Sequence, residues 1–174
     1  MKIHKIPQNV TTLIFDIDST LYTNDDYAYE QVDCQVREFA RIRNMSADEA
    51  RTLVRDFRKD FAEKNGGKKI SLGNLLTNFG ISIEQSVQWR NELMRPENFL
   101  VRDENLISEL KILSKKYKLI CVTNNPVKPA RKTLEVIGIS DFFEEIVGLD
   151  TCYKSKPAIE PFEKALGLTK SDAQ

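Results

Sequence analysis

Hydrophobic residues fall into two periodicities along the chain. Residues 10–15 (VTTLIF) form a short, β-branched run ending in Asp16 and read as a buried strand. A second apolar run at 119–123 and a third at 145–148 have the same character. Between them the period changes. Leu106, Ile107, Leu110 and Leu113 make a helical stripe over 104–116, with Asp103 placed to cap it. Residues 127–137 predict another helix, stopped by Gly138, with Pro126 and Pro129 at a first turn that has no N–H bonds to lose. Strand, helix, strand, helix, strand predicts an α/β protein with a parallel sheet and right-handed crossovers.

Residues 23–98 interrupt this alternation. They contain no strand-like run and predict four helices. Val32, Val36, Phe39 and Ala40 mark one face of a helix over 27–43. Ser46 with Glu49 is a capping box before Leu53, Val54, Phe57 and Phe61. Ser71 starts a short helix carrying Leu72, Leu75, Leu76 and Phe79, ended by Gly80. Ser82 with Gln85 is a second capping box, opening a helix to about Leu93. The expected domains are therefore a discontinuous core, 1–22 with 99–174, and a helical insertion, 23–98.

Composition narrows the chemistry. The 174 residues include 26 Lys+Arg and 26 Asp+Glu, a net charge of zero that disfavours a dedicated nucleic-acid binder. No apolar run approaches the ~18 residues that span a bilayer, and 1–10 lacks a signal peptide's apolar stretch, so the cytoplasm is the expected compartment. Cys34, Cys121 and Cys152 are too scattered for a disulfide framework or a zinc knuckle. None has an Arg six residues on, as a cysteine phosphatase would need; those positions hold Ala40, Val127 and Ala158. His4 is the single histidine and reads as a surface residue, which excludes a helical zinc pair and leaves little room for a Ser–His–Asp triad. Gly67-Lys68 mimics a Walker loop, but Lys69 stands where Ser or Thr is required, and 64–69 reads as a solvated turn.

The remaining polar chemistry collects at the strand ends, where ligands gather in open parallel sheets. Asp16 and Asp18 follow the first strand. Two acids so close are costly unless a cation or a shared proton relieves them, and they suit a carboxylate nucleophile beside an acid/base; an acidic turn is the plainer alternative. Thr123, Asn124 and Asn125 end the second strand and can hold phosphate oxygens before a helix, or form an Asx turn. Lys154, Ser155, Lys156 and Pro157 follow the third and can neutralise a phosphate or a carboxylate, or form a basic turn.

Asp-x-Asp-x-Thr over 16–20, Thr123-Asn124, and Lys156-Pro157 together resemble the haloacid dehalogenase (HAD) superfamily, and the inserted helices resemble its cap. Residues 15–22 (FDIDSTLY) resemble most the pyrimidine 5′-nucleotidase-like branch. The resemblance implies a Rossmann-like, three-layer core and an Mg²⁺-dependent phosphomonoester hydrolase acting on a small phosphorylated metabolite, such as a nucleoside 5′-monophosphate. It implies that Asp16 attacks phosphorus, that Asp18 protonates the leaving alkoxide and then activates water, and that Thr20 braces the loop. It implies phosphate binding by Thr123, Asn124 and Lys156, and a catalytic role for Lys156 in stabilising the nucleophile and the transferring charge, with Lys154 the lesser candidate for that lysine. It implies metal ligation by the Asp16 carboxylate and the Asp18 backbone carbonyl. A dehalogenase needs no acid at position 18, whereas an alkoxide leaving group does.

The family's fourth motif, an Asp after a fourth strand, has no counterpart after Pro157. A helix is expected over 159–166, ended by Gly167, and Asp172 reads as a cap on a further element starting at Thr169. The expectation is an incomplete copy with weak or absent turnover, its fourth and later core strands missing and its first strand left with an open, association-prone edge. A non-catalytic phosphate binder and a phosphomutase are the alternative functions.

Overall fold

The protein is described by a computed structural model covering residues 9–169. It divides into two compact units, Met1–Thr23 with Pro96–Gln174, and Asn24–Arg95.

In the first unit, β1 (Thr12–Phe15), β2 (Lys118–Val122) and β3 (Glu145–Val147) form a parallel sheet in the order β1-β2-β3. Phe15 lies beside Cys121 and Val122 beside Val147, so all three strands deliver their next residues at one edge of the sheet. Alternation sorts the side chains of β2. Ile120 and Val122 join Val147 and the buried Ala165 of α8 (Glu160–Thr169), with Phe162 against them. Leu119 and Cys121 are equally buried. The helix α6 (Val127–Val136) packs on β3 with Ala130 and Leu134 buried. α5 (Glu104–Leu113) is capped by Asp103, whose carboxylate accepts from the Leu106 N–H at 2.9 Å. Burial pushes the Cys121 thiol far up, so it stays protonated and packs as a small apolar group.

Two expectations need correction. The 10–15 run is only half-buried: Ile14 is 37% exposed. Among the described residues β1 pairs along one edge only, with β2, and so receives less cover than the central strand. Gly167 does not end the last helix, which runs on to Thr169. Gly167 is exposed, and a Cβ there would touch nothing. Its intrinsic cost in a helix, ~1 kcal/mol, is offset by burial of Ala165 and Thr169 on the other face. His4 and Asp172 lie outside the described residues. No described helix is long and apolar enough to cross a membrane.

The second unit holds α1 (Asp25–Ile42), α2 (Ala47–Lys64), α3 (Leu72–Thr77) and α4 (Ile83–Leu93). Val36, Phe39 and Ala40 of α1 meet Ala50 and Val54 of α2, Leu72, Leu75 and Leu76 of α3, and Trp89 of α4 in one core. Phe79 packs its ring 5.6 Å from both Phe39 and Phe57. The Ser46–Glu49 capping box is complete. The Ser82 box is half-formed: Ser82 accepts from the Gln85 N–H, while the Gln85 amide reaches toward Gln88 at 3.5 Å. α1 begins at Asp25, earlier than its apolar stripe predicts, because the Asn24 side chain accepts from the Tyr27 N–H at 2.8 Å. Residues 64–69 are exposed, but the turn is shorter than expected: Lys64 still belongs to α2 and the turn spans 65–67.

Asp33 is the buried charge of this unit, its side chain 5% exposed. Arg51 donates to both its oxygens at 2.8 Å, and Arg37 to one at 2.5 Å. Arg51 holds the Asp33 carboxyl below its usual range against the opposing effect of burial.

Two predictions follow from these contacts. Asp33 contributes stability that is present above its unfolded pKa of about 3.9 and lost as pH falls through its lower folded value. Asp33→Asn is therefore expected to cost about 1–2 kcal/mol at pH 7, discounted because both arginines are partly exposed, and to flatten the acid limb of the stability–pH curve in urea titrations. Gly138 closes α6 at φ +83°, and a Cβ there would sit 2.9 Å from Ile107 Cδ1 and 3.0 Å from Arg102 Cγ. Gly138→Ala should lower unfolding free energy by about 1–3 kcal/mol in the same assay.

Candidate active site

Asp16 is the first residue past β1, and its carboxylate is 45% exposed. Its Oδ1 accepts from the Ile17 N–H at 2.8 Å and faces the Lys156 ammonium at 2.5 Å. Lys156 Nζ also donates to the Val122 carbonyl at 2.8 Å. One ammonium thus ties the last residue of β2 to the acid that follows β1. Asp16 Oδ2 accepts from no donor among the described residues. Lys154 is exposed, and of the two lysines it is Lys156 that reaches Asp16.

Lys156 is held from behind by Asn124. The Asn124 Oδ1 accepts from the Lys156 N–H at 2.7 Å, and its Nδ2 donates to the Lys156 carbonyl at 3.4 Å. A side-chain amide offers both a donor and an acceptor, so it can pair with a peptide unit as a neighbouring strand would. Thr123 is 3% exposed. Its hydroxyl oxygen accepts from the Asn125 N–H at 3.1 Å, closing a tight turn at the end of β2.

Side chains from two segments orient Asp18. Tyr22 OH donates to Oδ1 at 2.5 Å, the Asn125 amide donates to Oδ2 at 3.0 Å, and Thr123 Oγ1 lies 3.5 Å from Oδ2. Thr20 is exposed, and its backbone N–H bonds the Ile17 carbonyl at 3.3 Å, so its contribution to the turn includes the main chain.

A second layer supports the 123–127 loop. Pro126, at the N-cap of α6, makes no side-chain cap. Asp150 of the short helix α7 (Leu149–Cys152) fills that place: its Oδ1 accepts from the Val127 N–H at 2.8 Å. Leu149 N–H donates to the Asn125 carbonyl at 2.9 Å. Gly148 permits this approach, since a Cβ would lie 2.7 Å from both Asn125 O and Val127 N.

The structure therefore brings together Asp16, Asp18, Thr123, Asn124 and Lys156, which the sequence singles out, turns Asn125 of the same segment onto Asp18, and adds Tyr22 and Asp150. Tyr22 and Asn125 sit inside motifs already conspicuous in the sequence, four residues past Asp18 and next to Asn124. Asp150 carries no local signal, because it caps a helix that begins 23 positions earlier. The concavity along α2, lined by Asp48, Thr52, Leu53, Asp56, Phe57 and Asp60, shares no residue with this site.

An acid–lysine centre, backed by an amide-bearing turn, thus sits at the carboxyl ends of parallel strands, where ligands gather in open α/β sheets. The chain belongs to the haloacid dehalogenase-like hydrolases, whose family model matches residues 13–174. It is 25% identical over 170 residues to the pyrophosphatase PpaX of Listeria welshimeri, covering 94% of this chain and 72% of that protein. Among solved structures it is similar to the HAD phosphatase of Thermococcus onnurineus, with TM-score 0.61, 21% identity, and coverage of 94% of this chain and 73% of that one. It is also similar to the HAD-hydrolase YfnB of Bacillus subtilis, solved bound to magnesium, with TM-score 0.51, 18% identity, and coverage of 95% and 75%.

The Asn124 contacts make a prediction independent of turnover. Asn124→Ala removes both bonds to the Lys156 peptide and should cost about 1 kcal/mol. Amide hydrogen exchange at Lys156 should accelerate in the variant while exchange in the core of β2 changes little.

Proposed function

We propose that this chain is a phosphoryl hydrolase that works through an aspartyl-phosphate on Asp16. The observation that carries this reading is the paired state of the two acids. Asp16 faces an ammonium and keeps one oxygen open, while two residues on Asp18 is held by neutral donors. In the first step Asp16 Oδ2 attacks phosphorus, the bond to the leaving oxygen breaks, and Asp18 supplies that oxygen with a proton. In the second step Asp18 takes a proton from water, whose oxygen attacks phosphorus, releasing phosphate and restoring the Asp16 carboxylate. Lys156, Thr123 and Asn124 form the phosphate-binding set, with Lys156 offsetting charge on the transferring group.

The donors at this site fit Mg²⁺. The Asp16 carboxylate is a hard, exposed oxygen ligand, and the Asp18 backbone carbonyl is the second. When bound, the cation would neutralise charge on the phosphoryl oxygens. Among the described residues no cluster of three or more His, Cys, Asp or Glu side chains is placed to hold a metal. Slow turnover is part of the proposal because the two oxygens named are a small share of the octahedral set that Mg²⁺ takes. The substrate we propose is a small phosphorylated metabolite in the cytoplasm. A nucleoside 5′-monophosphate is favoured by the nucleotidase-like segment 15–22, and pyrophosphate by the PpaX relatives.

The test is phosphate release from nucleoside 5′-monophosphates, pyrophosphate and simple phosphomonoesters. Asp16→Asn should reduce release by at least about a thousandfold. Chelation of divalent cations should abolish it and added Mg²⁺ restore it. Equal rates in wild type and Asp16→Asn would remove Asp16 as nucleophile.

A further inference from the structure

We propose that Tyr22 is the positioning residue for Asp18, fixing the plane of its carboxylate so that the acid proton points at the leaving oxygen. The inference rests on the phosphoryl-hydrolase reading and assigns a role within that site.

The turn itself places the phenol. Ser19 takes a left-handed conformation at φ +58°, and the Thr20 and Leu21 N–H groups both return to the Ile17 carbonyl, at 3.3 and 3.0 Å. The chain doubles back far enough for Asp18 and Tyr22 to form an isolated β-bridge. Tyr22, half-buried, thereby lays its hydroxyl 2.5 Å from Asp18 Oδ1.

An Asp carboxylate turns readily about its last torsion, whose preference is broad and roughly two-fold. A single donor on one oxygen leaves that rotation loosely set. Here the two oxygens are gripped from independent sources. Oδ2 is held by the Asn125 amide, which arrives on the loop after β2. Oδ1 is held by Tyr22, which belongs to the same turn as Asp18. The phenol donates to Oδ1 from a rigid ring, so it helps define which face of the carboxylate is presented.

The chemistry shows where this should matter. Attack by Asp16 on an alkyl phosphate expels an alkoxide, which needs the Asp18 proton as the P–O bond breaks. A p-nitrophenolate leaves without that help. Loss of carboxylate alignment should therefore penalise the alkyl ester selectively, because misplacement of a reacting group by a fraction of its bond length slows only the step that uses it.

The experiment compares wild type and Tyr22→Phe, as full chains, on glycerol 1-phosphate and p-nitrophenyl phosphate. The quantity read is kcat/KM, which reports steps up to formation of the aspartyl-phosphate. The expected result is a loss of about tenfold or more with the alkyl ester and a change within about threefold with the aryl ester. Equal losses on both esters, or no loss on either, would overturn the positioning role. The Phe ring preserves packing, so a thermal midpoint near wild type is expected; a variant that unfolds would show Tyr22 to be structural and overturn the inference equally. A wild-type chain that releases phosphate from neither ester overturns the hydrolase reading and this inference together, whereas equal losses overturn this inference alone.

Discussion

The first unit is organised around one ammonium group. Asp16 and Asp18 stand together at the end of a parallel strand, where two carboxylates repel each other and resist desolvation. Lys156 relieves the first at 2.5 Å and is anchored in turn by the Val122 carbonyl. Asn125, Thr123 and Tyr22 relieve the second with neutral donors. Everything behind these groups serves to keep them there: Asn124 pins the Lys156 peptide, Asp150 caps α6, and Gly148 lets the two loops touch. Parallel register makes the meeting geometrically simple, since Phe15, Cys121 and Ile146 lie abreast, with Asp16 and Thr123 following within two residues and Lys156 returning from the loop after β3.

Much of this is legible in the sequence because it is local. The helical stripes of Val36, Phe39 and Ala40, the caps at Ser46 and Asp103, and the stop at Gly138 depend on neighbours within a turn or two. The motif residues Asp16, Asp18, Thr123, Asn124 and Lys156 are visible because strand ends are. What escapes the sequence is non-local. Asp150 serves a helix distant along the chain, and the burial of Asp33 depends on Arg51 arriving from another helix. Gly167 misleads because a helix tolerates an exposed glycine when its opposite face is well packed. Ile14 misleads because apolar character does not say how many neighbours a strand acquires.

Fold and chemistry rest on different observations. The likeness to solved hydrolases at 18–21% identity describes a scaffold that supports many reactions. The family match to residues 13–174 makes the chain a hydrolase of that kind. The choice of reacting group and leaving group lies in side chains, and the proposed proton transfer rests on an acid at position 18 with its own set of donors.

The discontinuity of the first unit has a consequence for how the protein is made. Chains emerge from the ribosome amino end first, and contiguous units can fold as they appear. Asn24–Arg95 is one uninterrupted segment, with its core complete once α4 has been synthesised. The strand bearing Asp16 precedes it, yet its partner β2 begins only at Lys118, and Lys156 comes later still. Until Lys118 and its neighbours emerge, β1 is thus a strand without its partner β2, followed by two acids that Lys156 has not yet reached. Charge beside a strand end is a feature that discourages edge-to-edge pairing of an exposed strand.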